Sequence, residues 1–146
     1  MTSKYTAIVR KKPSLPMQYL DEKGLLRGMI LDYGCGRGFD VCYYGLKYWI
    51  DGYDPYWELW RQEREETFDT IVCNYVLNVV SKEKEFEIIK KIKSILKPNG
   101  KAYFTVRRDI KKDYTVDDYV QRVVILDLPS LYHNKGKFEI YTLDKN

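Results

Sequence analysis

The sequence predicts an α/β protein: a mostly parallel, doubly wound sheet closed by an antiparallel hairpin at the C-terminus. Three observations carry this. An apolar run, Met29-Ile30-Leu31, leads into Asp32-Tyr33-Gly34-Cys35-Gly36-Arg37-Gly38 and then Phe39-Asp40-Val41-Cys42, a segment able to start a helix. That is the order of a buried parallel strand, a tight turn and a crossover helix. Phe68–Asn74 is apolar along its middle, as a strand covered on both faces should be. Lys82–Leu96 repeats Phe86, Ile89, Ile92, Ile95 and Leu96 at three- and four-residue spacing with Lys and Glu between them, the pattern of an amphipathic helix lying on a sheet.

The 146 residues fit one domain with one core, read as an N-terminal arm and helix over 1–28 and a core over 29–146. Apolar residues make up 45% and charged residues 32%, which excludes a disordered chain. The net charge of +4 permits an acidic partner without demanding one. The lysine series Lys82, Lys84, Lys90, Lys91, Lys93 and Lys97 reads as a solvated helix face rather than a basic stripe for nucleic acid. The 14 tyrosines read as amphipathic packing at the core edge. Cys35, Cys42 and Cys73 contain no C-x-x-C pair and read as reduced, buried thiols of a cytoplasmic protein. His133 is the one histidine, so no zinc-ligand spacing exists. No signal peptide and no membrane partner is expected, because no apolar run is long enough.

Taken in order, residues 1–13 are a polar, basic arm ending in Pro13. Ser14 is a candidate N-cap and Pro16 sits in the first turn of a short helix reaching about Lys23, which Gly24 stops. The first strand covers about Met29–Tyr33 and a helix runs from about Asp40 to Tyr48, ending or broken near Gly45. Ile50–Asp54 is the second strand, ended by Pro55. The charged run Arg61–Glu66 is an exposed short helix or loop. After the Phe68–Asn74 strand and the Lys82–Leu96 helix, Lys97-Pro98-Asn99-Gly100 makes a turn into a strand over Lys101–Val106. A short helix is expected at Val116–Val120. Arg122–Leu128 and Lys137–Leu143 are β-rich and expected to pair as a hairpin across Asn134-Lys135-Gly136.

Right-handed crossovers put the loops that follow parallel strands at one end of the sheet, where ligands bind. Asp32–Gly38, Asp54 and Asn74 all follow or end predicted strands, so they converge on one crevice. The turn is Asp-x-Gly-x-Gly-x-Gly, not the Gly-x-Gly-x-x-Gly of dinucleotide folds. A carboxylate two positions before the first glycine disfavours a pyrophosphate. It suits a ligand with positive charge, such as the amino or sulfonium group of S-adenosylmethionine. Asp54, twenty residues after Gly34, is placed to accept ribose hydroxyls; alone it would read as a turn-forming Asp before Pro55.

These motifs resemble those of class I S-adenosylmethionine-dependent methyltransferases, which have a Rossmann-like fold. Leu31–Gly38 resembles the family's first motif and Gly52-Tyr53-Asp54-Pro55 its second. Phe68–Leu77 resembles the fourth-strand motif, and Ile95–Gly100 the turn into the fifth strand. A narrower resemblance, on Thr6–Arg10, Ser14-Leu15-Pro16, Gly24-Leu25-Leu26, Asp32–Gly38 with Asp40, and Tyr75–Val79, is to the methyltransferases associated with DNA phosphorothioation systems.

The resemblance implies S-adenosylmethionine as cofactor. Asp32, Gly34, Cys35 and Gly36 would hold its methionine end, with Gly38 allowing close helix packing. Asp54 and Pro55 would sit at the ribose and Tyr56 on the adenine face, while Asn74 would lie near the methyl group. Asn74 and Tyr75 are the candidate catalytic residues, and Arg107 and Arg108 are candidates for an anionic acceptor; beside Asp109 the two arginines also read as a solvated cluster. The chain departs from the family after Asp54, where the usual second helix and third strand scarcely fit, so the middle segment is reduced. No Asn-Pro-Pro-Tyr or Asp-Pro-Pro-Tyr motif occurs at Asn74–Leu77. The expected function is methyl transfer to an unknown acceptor, nucleic acid or small molecule. The alternative is a cofactor-binding, non-catalytic module completed by a protein partner or a second copy. A nicotinamide-binding domain is disfavoured by the glycine spacing.

Overall fold

The computed structural model describes residues 10–146. Thr6–Val9 and most of the predicted arm lie outside the described residues. Helix α1 (Leu15–Glu22) precedes strand β1 (Ile30–Tyr33), helix α2 (Phe39–Tyr44), strand β2 (Ile50–Tyr53) and strand β3 (Phe68–Asn74). Helix α3 (Lys82–Ser94) and strand β4 (Leu96–Arg107) follow, then strands β5 (Tyr114–Val116), β6 (Tyr119–Gln121), β7 (Ser130–Asn134) and β8 (Phe138–Asp144). The main sheet has the order β2-β1-β3-β4-β8-β7. The first four strands are parallel, and β8 and β7 complete it antiparallel.

Side-chain alternation along each strand divides the core into two layers. Ile30, Val72, Tyr103 and Ile140 pack with Met17 and Leu20 of α1 and Tyr44 of α2. Leu31, Ile71, Cys73 and Phe104 pack with Ile88 and Ile92 of α3. The sheet is therefore covered by helices on both faces, as the sequence predicts. Between β2 and β3 the described residues form only a single 3-10 turn at Glu58–Trp60, so the reduced middle segment is real and β2 is an edge strand. Arg64 covers that edge: its Nη2 donates to the Gly52 carbonyl at 3.1 Å and to Asp51 Oδ1 at 2.9 Å.

Several local expectations need correction. Phe86 is exposed, while Ile88 and Ile92 are buried. Ile88, Ile92 and Ile95 make the stripe that meets the sheet, and Phe86 lies two residues, about 200°, away from Ile88. Cys42 is exposed and Cys35 half-buried, leaving Cys73 as the one buried thiol. The turn at Lys97–Gly100 is absorbed into β4 as an irregularity. Pairing jumps from Phe68↔Leu96 to Thr70↔Lys101, with Asn99 at φ +67°.

No helix forms at Val116–Val120. Asp117 at φ +51° turns the chain between β5 and β6, and the flanking β-branched and aromatic residues pair instead. The hairpin partner of β8 is Ser130–Asn134, not Arg122–Leu128. Gly136, at φ +80°, closes a tight turn with Lys137 N–H on the Asn134 carbonyl at 2.9 Å, so the strand next to the turn wins the pairing. The 122–128 run packs over the α3 face with Val124 and Leu126 buried. The Arg108 guanidinium holds it there by donating to the Val124 carbonyl at 2.8 Å.

Candidate active site

The carboxyl ends of β1, β2, β3 and β4 open on a crevice of about 540 Å³. Its floor begins with Asp32. Ile30 faces α1 and α2, so Asp32, two residues on, faces the same side, and it is 3% exposed. Burial, reinforced by repulsion from Asp40 and Asp54, holds its carboxyl well above the ordinary range. Arg10, which also lines the crevice, opposes the rise but contributes least, and desolvation disfavours the charged form.

The glycine turn follows. Gly34 is at φ +84°, and a Cβ there would lie 2.3 Å from Val76 Cγ2; Gly38 is at φ +85°, and its Cβ would lie 2.4 Å from Trp60 Nε1. Both positions exclude a side chain on conformation and on space. The turn is tied to β2 by the N–H groups of Gly34 and Cys35, which donate to the Tyr53 carbonyl at 2.6 and 3.0 Å. It is tied again by Gly36, whose N–H donates to Asp54 Oδ2 at 2.8 Å. Asp54 Oδ1 accepts the Tyr56 N–H at 3.0 Å. Burial raises the Asp54 carboxyl and these two N–H groups oppose the rise.

Asp40, in the first turn of α2, is held by Ser14. The Ser14 N–H and Oγ–H donate to its two carboxylate oxygens at 3.0 and 2.8 Å. Ser14 occupies the N-cap position of α1, but its side chain makes no cap bond there. The hydroxyl serves the site helix instead.

The structure brings Asp32, Gly34, Cys35, Gly36, Asp54, Asn74 and Tyr75 together on the crevice wall. Gly38, Pro55 and Tyr56 do not line it. Gly38 carries the packing against Trp60, and Tyr56 meets the crevice only through the acid that its N–H holds.

The family model described as a methyltransferase domain matches residues 5–143. The chain belongs to this methyltransferase family. No curated protein matches its sequence. Among solved structures, the DhpI–SAH complex is similar with a TM-score of 0.62 at 13% identity, over 86% of this chain and 85% of that one. The Burkholderia thailandensis 1,6-didemethyltoxoflavin-N1-methyltransferase, with 1,6-didemethyltoxoflavin and S-adenosylhomocysteine bound, is similar with a TM-score of 0.62 at 15% identity, over 87% of this chain and 75% of that one. A protein solved for the conversion of a disulfide bond into a thioacetal group during echinomycin biosynthesis has a TM-score of 0.55 at 20% identity, over 64% of this chain. The chain spans about half, 48%, of that protein's length. At these identities the shared property is the fold.

The other half of the methyltransferase crevice belongs to β3, β4 and the segments after them. Asn74 ends β3, and both its amide nitrogen and its amide oxygen are shielded from solvent without a hydrogen-bond partner. Tyr75 follows at φ +64°, a left-handed conformation that a bulky residue adopts at a cost. Its N–H is fixed on the Thr105 carbonyl at 2.8 Å. Burial pushes its phenol up to about 12, so it stays protonated at neutral pH.

Arg107 lines the crevice but is engaged by Asp109 through two bonds, Nε to Oδ1 at 2.8 Å and Nη2 to Oδ2 at 2.7 Å. Arg108 points away and braces Glu139 and Tyr141. The pair therefore has one member at the site and one in the scaffold. The crevice also contains Arg10, Arg37, Asp40, Gln121 and Lys137; the first three lie in the motifs, and Gln121 and Lys137 carry no such signal. Arg37 lies over the Trp57 ring at 4.6 Å. Gln121 arrives from the β5–β6 hairpin, whose fold the sequence conceals. Among the described residues no group of His, Cys, Asp and Glu is arranged to hold a metal ion, and no helix is long and apolar enough to cross a membrane.

Proposed function

We propose that this chain binds S-adenosylmethionine in the crevice and transfers its methyl group to an acceptor bound between Asn74, Tyr75 and Gln121. The observation that carries the reading is the glycine turn locked between two buried acids, Asp32 on one side and Asp54 on the other. A Cβ at Gly34 would fill the cradle, and Asp32 lies in it with a raised carboxyl. A cation placed beside that carboxyl would release its proton and gain a desolvated ion pair, which suits the ammonium group of the cofactor. Each Asp54 oxygen keeps a lone pair beyond the backbone N–H it accepts, so the carboxylate can still accept ribose hydroxyls. Beside the turn, the Trp57 ring lies under Arg37 and the Trp60 ring against Gly38, in the place of the missing helix and strand.

When bound, S-adenosylmethionine supplies an electrophilic methyl group on a positively charged sulfur. The chain's own part is positioning. Tyr75 stays protonated and the described crevice wall holds no histidine, so the acceptor is expected to bring its own nucleophilicity. The likeness to the methyltransferases associated with DNA phosphorothioation systems belongs to this proposal. It leaves the acceptor as a nucleic acid or a small molecule and the setting as cytoplasmic.

Incubation of the folded protein with methyl-labelled S-adenosylmethionine and separate nucleic-acid, protein and small-molecule extracts tests the reading. Label in one pool, lost in Asp32→Asn, supports it. Cofactor binding with no label in any pool would instead assign the chain as the binding module of a larger enzyme.

A further inference from the structure

Gln121 and Asn74 are two carboxamides on one crevice that hold buried polar atoms without a partner in the described fold. Gln121 is 7% exposed, and its Oε1 is buried without a partner; the same holds for both polar atoms of the Asn74 amide. Thr105, the register partner of Asn74 on β4, does not serve it, since the Thr105 hydroxyl is itself buried and unpartnered. A buried polar atom left in this state destabilises the fold, and such groups call for an explanation.

The backbone around Gln121 is rigidly held, so its lack of partners does not come from a loose loop. The next residue, Arg122, donates its N–H to the Asn78 carbonyl at 2.6 Å, and its own carbonyl accepts Asn78 Nδ2 at 2.8 Å. Asn78 Oδ1 accepts the Arg107 N–H at 2.8 Å, so one buried Asn clamps both feet of the β5–β6 hairpin. The Arg122 guanidinium reaches the Leu77 carbonyl at 3.1 Å and Glu85 Oε1 at 2.7 Å. No buried polar atom of Asn78 or Arg122 lacks a partner, whereas Gln121 Oε1 and both Asn74 amide atoms do. That contrast separates residues that build the scaffold from residues that face a ligand.

Building on the methyltransferase reading, we infer that Asn74 and Gln121 select an acceptor that presents an N–H donor beside a carbonyl, as a lactam or cyclic imide does. Each carboxamide offers one donor side and one acceptor side whichever way it is turned. Only an edge carrying both complements satisfies the pair; an apolar or N-blocked ring leaves amide atoms orphaned. Arg107, the candidate for an anionic acceptor, is already closed by Asp109 in two bonds.

The test uses the whole protein saturated with S-adenosylhomocysteine, whose binding is checked first by calorimetry. Uracil and 1,3-dimethyluracil then serve as probes in saturation-transfer NMR at millimolar concentration. The expected result is transfer to uracil at least tenfold stronger than to the N-blocked analogue, cut about tenfold by Gln121→Met with S-adenosylhomocysteine affinity retained. Gln121→Met should also raise the melting temperature, because it removes an orphaned amide. Equal transfer to both probes, no transfer to uracil, or a lower melting temperature for Gln121→Met overturns the inference. Absence of heat with S-adenosylhomocysteine overturns the underlying cofactor reading and is seen separately, before any probe is added.

Discussion

The Gly36 N–H donates to Asp54 Oδ2 at 2.8 Å, so the turn after β1 is held by the acid that ends β2. One carboxylate thus shapes the loop and, in the proposed complex, meets the ribose. Asp54→Ala removes both roles. Cofactor affinity should fall by about 1.5–3 kcal/mol for each charge-assisted bond lost. Asp54→Asn, which keeps one acceptor for the Gly36 N–H, should lose less. Titration calorimetry of the two variants checks the order; equal losses would mean that the loop tie contributes nothing.

Asp32 makes a prediction with a pH sign. Its carboxyl is raised above its ordinary value of 3.8 in the folded protein. A raised carboxyl stabilises the fold fully below the unfolded value, and that contribution is lost as pH rises through the folded value. Asp32→Asn should therefore raise the melting temperature at neutral pH while weakening cofactor binding tenfold or more. Binding to the native protein should release a proton, and affinity should rise with pH until Asp32 is ionised in the free state. Calorimetry in two buffers of different ionisation enthalpy measures that proton; uptake instead of release would contradict the assignment.

Gly38→Ala should destabilise the fold by about 1–3 kcal/mol, through overpacking against Trp60 and positive-φ strain. A Cβ at this position meets Trp60 Nε1 at 2.4 Å. Adding Trp60→Ala should cost less in that background than in the native one, a coupling that a double-mutant denaturation cycle reads directly. Strict additivity would mean that the strain is in the backbone alone.

Much of this site is legible in the sequence because it is local. Asp32–Gly38 lies in one turn, Asp54 ends the adjacent strand, and a glycine spacing reports a backbone constraint without tertiary information. Asn74 is legible for the same reason, as the last residue of an apolar run. The acceptor side is not, because Gln121 reaches the crevice only through a hairpin that begins after β4 and is clamped by Asn78, 43 residues earlier in the chain. Nothing in Tyr119-Val120-Gln121-Arg122 marks that path. Arg108 shows the converse: beside Arg107 in sequence, it alternates to the opposite side of β4 and braces Glu139. Ser14 reads as a helix cap, yet its hydroxyl finds a carboxylate 26 residues away.

That contact gives a further prediction. Ser14→Ala leaves the Ser14 backbone bond to Asp40 Oδ1 in place but strips Oδ2 of its donor. A hydrogen bond to a buried charge is worth about 1.5–3 kcal/mol, and urea denaturation should show a loss of that size. Ser14→Thr, which keeps the hydroxyl, should recover most of it. A loss shared equally by both variants would assign the effect to packing.

The central claim is that the crevice between Asp32 and Asp54 is an S-adenosylmethionine site. Titration of the folded protein with S-adenosylhomocysteine, and with NAD as the comparison, tests it most directly. The account predicts saturable one-to-one heat with S-adenosylhomocysteine, weakened in Asp54→Ala, and none with NAD. Heat with NAD alone, or none with S-adenosylhomocysteine on a sample shown to be folded, would contradict it.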